Sequence, residues 1–329
     1  MDLDVVFLGT AGSAPTPRRA PSALLVRRGG DRLLIDCAEG TQRQLMRSTI
    51  GLPDLPDVFL THFHADHYLG LPGMLKTFAL RGRDVPITIH GPRGLRDLFT
   101  ALRRIFGKLP YPYELVELQA GDVVDRGDYR IATFAVAHGV PALGYALVEE
   151  TRPGRFDVTR ADVLGVTAGP DRGRLQAGET IALPDGTVIR PDQVLGPPRE
   201  GRTVCITGDT APSLAFLDVA EGADLLVHEA TFCDDEHERA QETQHSTARE
   251  AAQVAAAGGV RMLALTHLSS RYFGPEAAKE AREVFSETVV PRDFDVIEIP
   301  FRERGAPQLV RAGALEPDPR HDAVQSAPE

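Results

Sequence analysis

The sequence predicts an α/β fold whose chemistry sits just past the ends of its strands. Two observations carry this reading. Compact apolar runs suited to buried strands alternate along the chain with helical segments. Four of those runs have histidine or aspartate just past their ends, the position at which ligands gather in open α/β sheets.

In order, Val5-Val6-Phe7-Leu8 reads as a strand closed by the glycine-punctuated loop Gly9-Thr10-Ala11-Gly12-Ser13. That loop lacks the lysine of a phosphate-cradling loop. The runs 22–26 and 32–36 flank Gly29-Gly30-Asp31 as a hairpin. Residues 42–48 are helical, Val58-Phe59-Leu60 returns to a sheet, 69–80 forms the next helix, and Ile87-Thr88-Ile89-His90 is a strand before a helix over 94–106. The second half repeats the logic. Residues 129–136 alternate like a half-buried strand, 145–149 is another, and 204–207, 225–228 and 262–266 are buried strands, with an alanine-rich helix over 247–257.

The densest chemistry is His62-Phe63-His64-Ala65-Asp66-His67, on the loop between a strand end and a helix start. Imidazole nitrogen and carboxylate oxygen are donors that borderline-soft divalent metals accept. His62 and His64 are placed to share one ion, and Asp66 and His67 to turn to a second. His138, Asp209 and His267 each follow another strand end, and together with the cluster they read as one site.

Composition bounds the rest. With 329 residues, 42% hydrophobic and 25% charged, the chain has the balance of an ordinary globular protein. No apolar run reaches membrane-spanning length and the N-terminus lacks a secretory pattern, so no membrane is expected and the cytoplasm is the default compartment. Three scattered cysteines, Cys37, Cys205 and Cys233, exclude a disulfide framework. A net charge of −11 argues against nucleic acid, but residues 76–108 carry eight basic side chains against two acidic ones. Residues 150–202 break the rhythm with a Gly-, Pro- and Arg-rich insertion whose eight arginines are matched by eight acids. A single domain over 1–304 is expected, with this insertion inside it. Gly305-Ala306-Pro307 and Glu316-Pro317-Asp318-Pro319 suggest a disordered tail over 305–329.

These residues resemble the metallo-β-lactamase superfamily and, within it, the ribonuclease Z family, from Phe7 to about Phe301. The superfamily's His-x-His-x-Asp-His signature is His62, His64, Asp66 and His67. Leu34-Ile35-Asp36-Cys37-Ala38-Glu39-Gly40-Thr41-Gln42, Thr207-Gly208-Asp209-Thr210, His228-Glu229-Ala230-Thr231-Phe232, His245-Ser246-Thr247-Ala248 and Thr266-His267-Leu268-Ser269-Ser270-Arg271-Tyr272 are similar to ribonuclease Z stretches. Ala38 stands where the family has glycine, and residues 15–20 depart from its Pro-Thr-x-x-Arg-Asn loop.

The resemblance implies a four-layer αβ/βα sandwich with a protruding arm. It implies a zinc-dependent endoribonuclease that removes the 3′ trailer from precursor tRNA by metal-hydroxide attack, leaving a 3′-hydroxyl. Two Zn2+ per subunit are implied, one held by His62, His64 and His138, the other by Asp66, His67 and His267, with Asp209 bridging. Asp66 would also handle the nucleophile's proton, and Asp36 would hold a ligand histidine in one tautomer. His245 would serve as general acid, held cationic by Glu229. The insertion resembles the family's tRNA-gripping arm, its Gly169, Pro170, Arg172 and Arg174 touching substrate, and family analogy implies a homodimer. His90, His237 and His321 are expected to be structural or surface residues, and His228 is left open. A different binuclear-zinc hydrolase, acting on a small phosphodiester, lactone or sulfate ester, would share the metal site but not the arm or the Glu229–His245 pair.

Overall fold

Alternating side chains divide each long strand between two apolar layers. In Leu3–Gly9, Leu3, Val5 and Phe7 enter one buried cluster while Val6 and Leu8 enter another. That is the period-two signature of a strand covered on both faces. The computed structural model describes residues 1–313.

Eight strands form the first sheet, in the spatial order Gln308–Val310, Val296–Glu298, Leu3–Gly9, Ala23–Arg28, Asp31–Ile35, Asp57–Phe59, Ile87–Pro92 and Tyr113–Leu118. Seven form the second, in the order Thr288–Val289, Leu263–Thr266, Leu225–Glu229, Thr203–Ile206, Leu143–Glu149, Tyr129–Ala135 and Val123–Asp125. The sheets meet face to face through Phe7, Val26, Phe59, Tyr145, Val204 and Val227, among others. The helices Gly70–Leu80 and Leu95–Phe106 cover the outer face of the first sheet, and Ala248–Ala257 and Gly274–Arg282 cover that of the second. The result is the expected four-layer order of helix, sheet, sheet and helix.

Ala23–Arg28 and Asp31–Ile35 make the expected hairpin, joined through Gly29-Gly30 with Gly29 in the left-handed region (φ 53°). The tail expectation needs correction. Gln308–Val310 pairs antiparallel with Val296–Glu298, and Leu309 packs against the inter-sheet core. Backbone pairing therefore orders the chain well past residue 304 despite its Gly-Ala-Pro sequence. Residues 314–329, including His321 and the rest of the expected tail, lie outside the described residues.

Residues 150–202 leave and re-enter the second sheet between two neighbours, Leu143–Glu149 and Thr203–Ile206, which pair antiparallel. The insertion carries the short helices Val158–Val163 and Pro170–Gln176 and a small hairpin of Ile181–Ala182 with Val188–Ile189. These close over their own apolar cluster of Ala161, Val166, Leu175, Ile181, Ile189 and Val194.

Candidate metal centre

Every candidate ligand projects from a strand end or the turn after it, all at the same edge of the two sheets. The strand Asp57–Phe59 leads to His62 and His64, and the turn beyond begins the short helix Ala65–Tyr68 with Asp66 and His67. Tyr129–Ala135 leads to His138, Thr203–Ile206 to Asp209, and Leu263–Thr266 to His267. The first sheet supplies the sequence cluster and the second supplies the three scattered residues.

Backbone chemistry fixes these turns. Asp36 and His267 both occupy the left-handed region (φ 59° and 58°), which non-glycine residues rarely adopt and which marks functional turns. Gly208 is left-handed too (φ 65°), and a Cβ there would sit 2.8 Å from the Thr61 Cβ. Only glycine lets the Asp209 turn approach so closely.

The donor atoms converge in three sets, of which one, Asp209, His245 and His267, overlaps the other two. His62, His64, His138 and Asp209 form one group within 4.8 Å of one another, and Asp66, His67 and His267 form another. His64 Nδ1 lies 3.2 Å from His138 Nε2, and His67 Nε2 lies 3.3 Å from His267 Nε2. Tetrahedral zinc–imidazole bonds of about 2.0–2.1 Å place two nitrogens about 3.3 Å apart. Asp209 lies between the groups, with Oδ2 3.6 Å from His62 Nε2 and 3.3 Å from His67 Nε2, and Oδ1 3.3 Å from His267 Nε2. His62 Nε2 and Asp209 Oδ1 are buried with no hydrogen-bond partner. Buried polar atoms are ordinarily satisfied, so this pair fits donation to a cation. Burial, reinforced by the neighbouring His67, pushes the His62 imidazole down to about 2, so it stays a neutral donor.

The outer partners aim these rings. Asp36 Oδ2 accepts from His67 Nδ1 at 2.7 Å, leaving Nε2 directed inward, and Asp36 Oδ1 accepts from the Thr61 amide at 2.8 Å. The Gln244 carbonyl lies 3.1 Å from His138 Nδ1, Thr231 Oγ1 lies 2.9 Å from His267 Nδ1, and the Ser13 amide donates to Asp66 Oδ2 at 2.8 Å. Each leaves one atom free for a metal.

Beside the cluster, His245 Nδ1 lies 2.7 Å from Glu229 Oε1, and its ring stacks 5.5 Å from that of His267. Glu229 is fully buried and also accepts from the Thr210 and Thr231 amides and the Thr231 hydroxyl. Burial disfavours a charged His245, but the Glu229 carboxylate outweighs it and pushes the imidazole up to about 9.

Comparison with known proteins agrees with this geometry. Residues 16–147 match the metallo-β-lactamase superfamily. Ribonuclease Z of Haloferax volcanii is 48% identical over 92% of this chain and 97% of its own, and that of Gemmatimonas aurantiaca 50% identical over 92% and 98%. The chain belongs to the ribonuclease Z family. It is accordingly a phosphodiester-hydrolysing endoribonuclease, and its donor clusters fit use of a divalent metal. Among solved structures, the short form of human tRNase Z superposes with a TM-score of 0.65 at 30% identity, covering 90% of this chain and 99% of that one.

Within that family frame, several residues fall outside the sequence reading. Thr231 touches Glu229, His245 and His267 at once, yet a threonine two positions after a glutamate carries no metal signal of its own. Thr61, Ser13 and Gln244 act partly through backbone atoms, which sequence does not display. His228 lies away from the cluster, on the helix-facing side of its strand with Leu226, its Nδ1 on the Glu229 carbonyl at 2.7 Å. His90 is buried, stacked on Phe59 and bonded to Asp57, and His237 is half-buried beside Glu250 and Gln241.

The arm residues are not brought near the metal centre's hydrogen-bond network. Gly169 caps the helix Pro170–Gln176 and Pro170 occupies its first turn. The Arg172 guanidinium bonds to the Val166 carbonyl and to Asp162 within the insertion. Arg174 is half exposed, paired with Asp171 and Glu179. In the basic 76–108 segment, Arg83 is buried on the Leu55 and Pro86 carbonyls, while Arg93, Arg96, Arg103, Arg104 and Lys108 face solvent.

Proposed function

We propose that this protein removes the 3′ trailer from tRNA precursors, leaving a 3′-hydroxyl on the tRNA, with two zinc ions in each subunit. The observation that carries the reading is the Glu229–His245 pair beside two convergent donor sets. A phosphodiester has an alkoxide leaving group that needs a proton, and His245 is a cationic imidazole placed to give one.

One ion is assigned to His62, His64 and His138, the other to Asp66, His67 and His267, with Asp209 between them because both carboxylate oxygens face donors. An all imidazole and carboxylate set suits zinc. Bound ions of this kind supply Lewis acidity and lower the pKa of a water toward about 7. The chain does the rest. Asp66, held by the Ser13 amide, takes up and orients the nucleophile's proton. His245 gives its proton to the departing 3′ oxygen, and Glu229 keeps it charged and aimed. Asp36 locks His67 in the tautomer whose Nε2 points inward.

RNA backbone contacts fall to the insertion and the exposed arginines of 93–108, remote from the chemistry, and recognition rests on tRNA shape. Within the insertion, Gly169, Pro170, Arg172 and Arg174 are the candidate contacts. The catalytic body and its insertion are read as one domain, active as a homodimer in the cytoplasm. Three buried free thiols suit a reducing compartment, and no helix among the described residues is long and apolar enough to cross a membrane.

The test is metal-loaded protein incubated with a 3′-extended tRNA transcript, with both new ends mapped. The expected product is a tRNA bearing a 3′-hydroxyl and a trailer bearing a 5′-phosphate, with Asp209→Ala inactive. Cleavage away from the tRNA–trailer junction, or full activity in Asp209→Ala, overturns the reading. Hydrolysis of bis(p-nitrophenyl) phosphate with none of tRNA favours a small-ester hydrolase instead.

A further inference from the structure

The insertion shares no apolar core with the body. Among the described residues, none of 150–202 enters the three buried clusters that hold the two sheets and their helices together. The insertion's own six-residue cluster keeps it folded but says nothing about where it points. Its direction is therefore set at its root, where two chain segments run side by side through the backbone pairs Arg152–Arg199 and Phe156–Leu195.

A third segment closes over that root. The 3-10 turn Arg302–Arg304 lies in the connection between Val296–Glu298 and Gln308–Val310 of the first sheet. Glu303 accepts from Arg152 through both carboxylate oxygens at 3.2 Å and from Arg199 Nη1 at 3.0 Å, so one carboxylate ties the outgoing strand to the returning one. The Phe301 ring carries the Arg152 guanidinium 3.4 Å from its centroid and that of Arg202 at 4.0 Å. Arg302 Nη1 donates to Glu200 at 2.6 Å while its Nε reaches Asp224 of the body at 3.1 Å. Beneath this lies a buried anchor. Glu149 receives Arg28 Nε at 2.7 Å and Arg202 Nη2 at 2.7 Å, and Arg202 Nη1 reaches the Ile299 carbonyl at 2.9 Å. Among the described residues, those gripping both strands of the root from outside it thus belong to a segment with no place in the metal centre.

We propose that residues 301–304 are a clasp that orients the insertion, with Glu303 as a positioning residue for the large RNA substrate. The inference rests on the reading of the insertion as the tRNA grip. Partly exposed ion pairs contribute little to folding, so the clasp acts on direction rather than on overall stability. Binding a rigid RNA at two distant places needs the grip held at one angle, since a loose one must be ordered on each encounter.

The experiment compares wild type, Glu303→Ala, Phe301→Leu and a 154–199 deletion on a 3′-extended tRNA and on bis(p-nitrophenyl) phosphate, with amide hydrogen exchange as a local readout. In Glu303→Ala, KM for the tRNA should rise about three- to tenfold, the span two partly exposed ion pairs can supply. Its kcat, diester rate and melting temperature should stay at wild-type values. Exchange at the Arg152 and Arg199 amides should quicken while that of Ala161 and Ala177, inside the insertion, does not. Phe301→Leu should give the same split. A wild-type KM in both point variants, with a raised KM in the deletion, overturns the clasp and leaves the grip standing. Equal losses on both substrates also overturn it, by showing a general structural role. A deletion that cleaves tRNA normally overturns the grip and the clasp together.

Discussion

His245 depends on one carboxylate for its charge. Because Glu229 pushes its pKa up to about 9, cleavage should fall as pH rises through that value, when the acid form is lost. Glu229→Gln should move this basic limb to lower pH, which a pH–rate profile on tRNA will display. His245→Ala should cost about 10²–10⁴-fold in kcat with metal content unchanged, measured by single-turnover cleavage beside elemental analysis. The sign for stability follows from the same shift. A histidine raised from 6.5 to about 9 on folding contributes stability fully below 6.5 and loses it as pH rises through 9. The melting temperatures of wild type and His245→Ala should therefore converge above pH 9. His62 Nε2 and Asp209 Oδ1 make a second residue-scale expectation, because their burial without partners is costly until a cation arrives. Stripping the metal with a chelator should lower the melting temperature, and added zinc should restore it. An unchanged melting curve would count against these residues as ligands.

At the scale of the element, the helix Ala248–Ala257 matters because His245 hangs from its start. Thr247 accepts from the Glu250 amide and Glu250 accepts from the Thr247 amide, a reciprocal cap. Thr247→Ala should cost about 1 kcal/mol in denaturant unfolding. It should also lower kcat on tRNA more than metal affinity, since the cap lies beside the proposed acid and not beside the proposed ligands. The same scale shows which elements sequence could display. Val204-Cys205-Ile206 and Leu225-Leu226-Val227 lie inside a sheet covered on both faces, so unbroken apolar runs mark them. Tyr113–Leu118 is an edge strand with mostly half-exposed side chains, and Thr288–Val289 and Val296–Glu298 are too short to set a period. Tertiary pairing, not local pattern, makes these segments strands, so the sequence does not display them. Gly274–Arg282 was legible in retrospect, with proline in its first turn and Ala277, Ala278 and Ala281 on one buried face. The donor cluster of His62, His64, Asp66 and His67 is legible because its residue types are rare and its spacing tight. Thr231 and the Gln244 carbonyl are not, because a hydroxyl or a peptide oxygen gains its role only from what folds against it.

For the whole molecule, the acidic total of −11 coexists with a solvent-facing row of arginines over 93–104. If that row and the insertion hold phosphates, tRNA affinity should fall steeply between 50 and about 200 mM salt through counterion release. Filter binding flat across that range would remove both from the footprint. The two sheets also contribute unequal shares of the centre, one giving the contiguous cluster and the other giving His138, Asp209 and His267, so neither half can assemble it alone. The way the insertion is spliced in has a different kind of consequence. Its two ends are already hydrogen-bonded neighbours, the Glu149 amide on the Arg202 carbonyl at 3.0 Å, so the scaffold is closed beneath it whatever lies above. Evolution can lengthen, shorten or swap such an appendage without recutting the catalytic body. Substrate range and hydrolytic chemistry are in this way free to diverge at separate rates.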